Sequence, residues 1–191
     1  MINIIKILIF DDVELLDFCG PLEVFSVARY FFDQGKLDVS TVAYKEKIIV
    51  SKSKIEIIPN GVMDDGKIDL LVIPGGIGTR PIIKDKTTLG NIDKLIKKSK
   101  IIATVCTGAL ILAKLGYLKE MTAITHKNGI KELKEIDPSI NVDESKRFID
   151  NDKIITSAGI SAGIDMSLYL VEKFFGQSLR KTVAEYMEYQ Y

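Results

Sequence analysis

The sequence predicts an α/β fold, a three-layer α/β/α sandwich in which helices cover both faces of a mostly parallel sheet. Short β-branched runs alternate with longer segments of helical period, the pattern of strands joined by crossover helices. Two of those runs, Ile4–Phe10 and Leu70–Ile73, are apolar almost without interruption, as strands buried on both faces are. The chain has 191 residues, 47% of them hydrophobic, which suits one domain over residues 1–191 with a core that needs no disulfide or structural metal.

Taken in order, Ile4–Phe10 is the first strand. Lys6 interrupts it, and no basic segment or small-residue cleavage site accompanies it, so it reads neither as a membrane span nor as a signal peptide. Pro21, favoured in a first helical turn, opens a helix to about Phe32 whose stripe is Leu22, Phe25, Ala28 and Phe32. Asp38–Tyr44 and Ile55–Ile58 are strands, with a Lys-rich hairpin between them. Leu70–Ile73 is a buried strand ended by Pro74 and a Gly-rich turn, and Gly90–Lys98 is a surface helix. Ile101–Val105 is a strand, and Gly108–Leu115 a helix stopped by Gly116. Ala123–Thr125 is a short strand before an amphipathic helix at Asn128–Ile136. Phe148–Asp150 and Lys153–Thr156 flank a tight turn at Asn151-Asp152. Helices at Ala162–Phe175 and Ser178–Met187 close the chain.

Composition narrows the function. Twenty-six basic residues balance 26 acidic ones, and the basic ones are scattered, so nucleic acid and anionic membranes are not expected partners. Two cysteines, Cys19 and Cys106, without an export signal, point to the cytoplasm and to free thiols. One histidine, His126, leaves little material for a metal centre. No metal or cofactor is expected.

Three stretches carry chemistry. In Ile101-Ile102-Ala103-Thr104-Val105-Cys106-Thr107-Gly108, a strand runs into a cysteine and then into a Gly/Ala-rich helix. A nucleophile there sits at the carboxyl edge of the sheet, on a sharp turn like that of hydrolase nucleophile elbows. The helix N-terminus behind Cys106 is expected to make its thiol more acidic than a free one. The plainer alternative is that Cys106 is a small buried hydrophobe. In Pro74-Gly75-Gly76-Ile77-Gly78, glycines at a strand end allow close backbone approach and an anion nest, and beside a cysteine that is an oxyanion pocket. In Phe10–Glu23, Asp17 stands between apolar residues, where burial raises a carboxyl pKa and suits it to proton transfer. The alternative makes Asp17 a helix cap before Pro21; Glu14 and Glu23 read as solvated or dipole-complementing charges.

Together the segments LLDFCGPLEVF, LLVIPGGIG, TVCTGALILAKLGYL, AITH and TSAGISAGIDMSLYLVEKFFG resemble the DJ-1/PfpI (ThiJ/PfpI) superfamily, in the branch containing isonitrile hydratase and the amidase-like domains of AraC-type regulators. The resemblance implies a flavodoxin-like, class I glutamine amidotransferase-like sandwich and a homodimer. It makes Cys106 the nucleophile, Asp17 its acidic partner, and Thr107 a lining residue of a substrate or oxyanion pocket with Gly76, Ile77 and Gly78. A Cys–His peptidase is not implied, because Thr107 stands where that branch has histidine. The His-x-Glu of glutamine amidotransferases is also missing. His126 could reach Cys106 from the next strand, but a packed or hydrogen-bonding histidine is the expectation. Cys19 is either a second thiol near the pocket or a small filler. No basic helix-turn-helix is seen. The implied activity is a lyase-type, cysteine-dependent hydration or hydrolysis of a small electrophile such as an isonitrile. The alternative is a non-catalytic ligand or redox sensor using the same cysteine.

Overall fold

A computed structural model describes residues 2–32, 37–44, 48–62 and 66–190. In chain order the elements are β1 (Ile4–Leu8), α1 (Leu15–Phe31), β2 (Asp38–Ala43), β3 (Ile49–Val50), β4 (Glu56–Ile57), β5 (Gly61–Val62) and β6 (Ile68–Ile73). There follow α2 (Thr79–Lys84), α3 (Lys86–Lys98), β7 (Ser99–Val105), α4 (Ala109–Lys114), β8 (Thr122–Ala123) and α5 (Ile130–Ile136). The last are β9 (Asn141–Val142), β10 (Phe148–Asn151), β11 (Ile154–Ser157), α6 (Ala162–Phe175) and α7 (Gln177–Tyr186).

The seven-stranded sheet has the order β10-β11-β7-β6-β1-β2-β5, and every pair in it is parallel except β10 with β11. Its central strand β6 is buried along its whole length, which is why the sequence there is continuously apolar. Helices α1, α6 and α7 pack on one another, and α2 packs on α3 and α4, giving the helical layers their cores. The register Ile73↔Thr104 and Ser157↔Val105 brings the carboxyl ends of β6, β7 and β11 level. The turns after these strands, and the one after β1, therefore meet at a single edge.

Several boundaries differ from the sequence reading, each for a physical reason. Helix α1 starts at Leu15 rather than at Pro21, which lies inside it. Gly20 and Pro21 are buried, and a Cβ on Gly20 would stand 3.0 Å from Ile164 Cγ1 of α6. Close packing of two helices thus overrides the local cost of an interior proline. Helix α3 starts at Lys86, because the Asp85 carboxylate caps it by accepting the N–H groups of Thr87 and Thr88 at 3.2 and 3.1 Å. The hairpin joins β3 to β4 instead of β2 to β4; residues 45–47 of the Lys-rich segment lie outside the described residues. The turn at Asn151-Asp152 and the stop at Gly116 stand as read, with φ of +69° at Asp152 and +79° at Gly116.

Candidate active site

Cys106 is the first residue after β7, at φ +57°. A one-turn 3-10 segment, Cys106–Gly108, leads from it into α4. The left-handed conformation is unfavourable for a cysteine and needs support on both sides. Its N–H donates to the Ala158 carbonyl at 3.1 Å, and its own carbonyl accepts the Thr125 hydroxyl at 2.7 Å. Gly108 lets the turn close, since a Cβ there would lie 2.2 Å from the Ile73 carbonyl oxygen.

The cysteine is 6% exposed and helps line a cavity of about 520 Å³. The other walls are Glu14, Lys52, Gly76, Ile77, Arg80, Thr107, His126, Asn128 and Ile160. Each comes from a turn or helix start at the carboxyl edge, except Lys52, which rides on the β3–β4 hairpin. That hairpin is held by the Asp12 N–H on the Val50 carbonyl, 2.8 Å, and by the Lys52 N–H on the Val13 carbonyl, 3.0 Å.

Asp17 is in the first turn of α1 and fully buried. It does not cap the helix; that place belongs to Glu14, whose side chain makes no cap bond. Asp17 Oδ2 accepts the Gly75 N–H at 3.0 Å, whereas Oδ1 has no hydrogen bond of good geometry among the described residues. Burial pushes its pKa up to about 7, against the pull of the Cys106 thiol and the Gly75 amide and with a further push from the Glu14 charge. Burial likewise pushes the Cys106 thiol up to about 12, and the neighbouring Asp17 carboxylate adds to it. The expectation of an acidified thiol is thereby corrected. A six-residue helix entered through a 3-10 turn offers little dipole, and removal from water outweighs it. Both groups disfavour charge and repel each other when ionised, so near neutral pH the pair retains at least one proton.

The Gly-rich turn is placed differently from expectation. Gly75, not singled out from the sequence, carries the Asp17 contact, and a Cβ on it would meet the Thr107 nitrogen at 2.5 Å and Asp17 Oδ2 at 2.8 Å. The Gly76 N–H donates to Thr107 Oγ1 at 3.0 Å, so it is not free to serve an oxyanion. Gly78 lies outside the cavity wall: its N–H goes to the Asp12 carbonyl at 3.3 Å, and a Cβ there would collide with the Asp11 carbonyl at 2.0 Å. Its glycine serves packing. Ile77, 54% exposed, and Thr107 do face the cavity. The N–H and hydroxyl of Thr107 both act on the Cys106 sulfur in the direction that favours thiolate.

Glu14, read from sequence as a solvated charge, instead lines the cavity and pairs with Lys52 at 2.7 Å. His126 lines the cavity with its Nδ1 accepting the Asn128 N–H at 3.1 Å, which leaves the proton of the neutral ring on Nε2. Among the described residues no hydrogen bond joins it to Cys106. Cys19 is half-buried on α1 and does not line the cavity. Arg80, Asn128 and Lys52 carried no sequence signal, because no motif marks a wall residue that belongs to a separate turn. Among the described residues no cluster of three or more His, Cys, Asp or Glu side chains could hold a metal ion, and no helix is long and apolar enough to cross a membrane.

Fold and site together define an α/β sandwich with a cysteine on a strand-to-helix elbow, backed by a buried carboxyl group. The chain belongs to the DJ-1/PfpI family, whose sequence model matches residues 4–173. It is 28% identical to isonitrile hydratase of Pseudomonas putida over 189 residues, covering 97% of this chain and 78% of that protein. Among solved structures it is similar to a ThiJ/PfpI family protein from Pseudomonas syringae, with a TM-score of 0.87, 25% identity, and coverage of 100% of this chain and 76% of the other. Drosophila melanogaster DJ-1beta superposes with a TM-score of 0.85 over 100% of both chains at 17% identity, a likeness of fold alone.

Proposed function

We propose that the protein is a cysteine-dependent hydratase or hydrolase acting on a small electrophile of the isonitrile type, with Cys106 as nucleophile and Asp17 as its proton-transfer partner. The observation that carries this reading is the buried Asp17 carboxyl set against the Cys106 thiol at the wall of the cavity. A carboxyl pKa of about 7 matches the working range of a general acid–base group.

The chemistry balances within that pair. Asp17 carboxylate takes the thiol proton as sulfur attacks the terminal carbon of the isonitrile. The proton is then returned to that carbon, giving a thioimidate on Cys106. Water adds to the thioimidate carbon, its protons pass to nitrogen and, through Asp17, to the departing sulfur, and an N-substituted formamide leaves with the thiol restored. Thr107 N–H supports sulfur while it carries charge. No peptidase role is proposed, since no histidine bonds the thiol. The working unit is a cytoplasmic homodimer in this reading.

The raised thiol pKa favours one other reading, a sensor that binds a ligand beside Cys106 without turnover. A screen of isonitriles, glyoxals and small amides separates the two. Formamide release by wild type and its loss in Cys106→Ala is the expected result. Equal rates in both proteins refute covalent catalysis, and no turnover of any substrate, with saturable binding retained, leaves the sensor.

A further inference from the structure

The cavity is larger than the reacting group it would serve. An isonitrile carbon and nitrogen occupy about the space of one or two waters, ~30–60 Å³, whereas the cavity measures about 520 Å³. Most of its wall therefore faces the substituent, and two properties of that wall bear on what the substituent is. The first is charge balance. Of the wall cations, Lys52 is paired with Glu14 at 2.7 Å and Arg80 with Glu132 at 2.7 Å. An anionic substituent would find both cations already answered by a carboxylate, with Asp17 a further like charge when ionised. A cationic one would find Glu14 and Glu132 already answered by a cation. Either would leave water for a place that holds no free opposite charge. The second property is an excess of donors. A guanidinium has five N–H groups. Arg80 Nε and Nη2 each donate to Glu132 Oε2, at 3.0 and 2.7 Å, and Nη1 reaches the Gly76 carbonyl and Thr79 Oγ1, both at 3.2 Å. These contacts leave one N–H of Nη2 without a partner among the described residues. Asn128 is exposed and donates its main-chain N–H to His126. Its side-chain amide, donor and acceptor at once, has no partner among the described residues either.

We propose that the substrate's substituent is uncharged and carries a carboxamide-type group, its carbonyl accepting from Arg80 Nη2 and the Asn128 amide. Its own N–H donates to the Asn128 side-chain oxygen. The inference rests on the proposed function and deepens it, since it names the part of the substrate that does not react. Glu132 takes part from outside the wall: by cancelling the Arg80 charge it turns an anion site into a site for a neutral acceptor.

The test is an NMR titration of the isotope-labelled protein at neutral pH with pentanamide, pentanoate and pentylamine, probes of one length that differ in charge. Pentanamide is expected to bind most tightly and to move the Asn128 side-chain amide signals. A neutral hydrogen bond is worth about two- to tenfold in a dissociation constant, so Asn128→Ala weakens pentanamide by about that factor. Glu132→Gln keeps an oxygen for the guanidinium but removes its counter-charge, and makes pentanoate the tightest of the three. Asn128→Asp likewise brings pentylamine to the front. A wild type that favours pentanoate or pentylamine, or that binds none of the three at millimolar concentration, overturns the proposal. An unchanged order in both charge variants does so too. Asn128 is exposed, so its variants carry the test should Glu132→Gln fail to fold. Binding needs no turnover. A protein that hydrates nothing yet ranks the probes in this order defeats the proposed function alone, and one that hydrates isonitriles yet prefers pentanoate defeats this inference alone.

Discussion

Replacing Asp17 by Asn tests whether the site is built at the expense of stability. The carboxyl pKa rises from 3.8 to about 7 on folding. At about 1.36 kcal/mol per unit, ionised Asp17 burdens the folded state by about 4 kcal/mol. Between those two values the folded chain holds a proton that the unfolded chain has released. Stability from this group is therefore full below the lower value and is lost as pH rises through the upper one. About 2.5 kcal/mol of the change falls between roughly pH 5 and pH 8. Asparagine removes the charge and keeps an oxygen for the Gly75 N–H. Its amide nitrogen, however, faces the Ile160 N–H that now favours the carboxylate, a donor against a donor costing about 1–3 kcal/mol. Urea unfolding of both proteins across that pH range reads the difference. The wild type is expected to lose stability relative to Asp17→Asn on going alkaline, so that the inactive variant ends level with or above it. Parallel curves for the two proteins would refute the buried-carboxyl argument.

Other outcomes follow from the same geometry. Turnover should rise with pH through about 7, because Asp17 must be ionised to take the thiol proton; a rate that falls over that range contradicts the assigned role. Lys52 is raised by Glu14 and, more weakly, by Cys106 and Asp17, so by reciprocity Lys52→Met should shift both the rate profile and the thiol titration upward, and unmoved profiles would show that the hairpin cation is decoupled from the pair. Gly108→Ala sets a Cβ 2.2 Å from the Ile73 carbonyl and should destabilise by several kcal/mol, on the order of a strained core substitution; a thermal midpoint within a degree or two of wild type would mean the elbow can relax. Light scattering should give twice the 21.3 kDa chain mass if the homodimer is right, and a strict monomer at micromolar concentration counts against it.

The fold was legible because its signals are local. Buried parallel strands announce themselves as apolar runs, and Gly116 and Asn151-Asp152 mark ends that need a left-handed residue. The elbow was legible too, since Cys106 sits where a strand pattern stops and small residues begin. What escaped was tertiary in origin. Pro21 reads as a helix start, yet α1 packs on α6 and begins at Leu15, which removes the alternative of Asp17 as a cap and leaves the buried acid that its apolar neighbours pointed to. The glycines of the turn after β6 look alike in sequence; only their neighbours separate Gly75 beside Asp17 from Gly78 against the Asp11 carbonyl. Thiol acidity was misjudged because a helix start can be read from sequence, whereas the depth at which sulfur is buried cannot.

The β3–β4 hairpin forms a sheet of its own, apart from the seven strands, and meets the cavity through Lys52. Floor and side wall of this chamber therefore belong to different structural units. The floor at Cys106, with Asp17 of α1 buried behind it, is locked by the close approaches at Gly75 and Gly108 and tolerates almost no change of shape. The hairpin is tied on its β3 side, by backbone bonds at Asp12 and Lys52 and by the Asp11 carboxylate, which accepts the Val50 N–H at 3.1 Å. Its tip can thus be lengthened, shortened or recharged while the reactive pair stays where it is, which makes it the natural place for drift, or an engineer, to retune what enters.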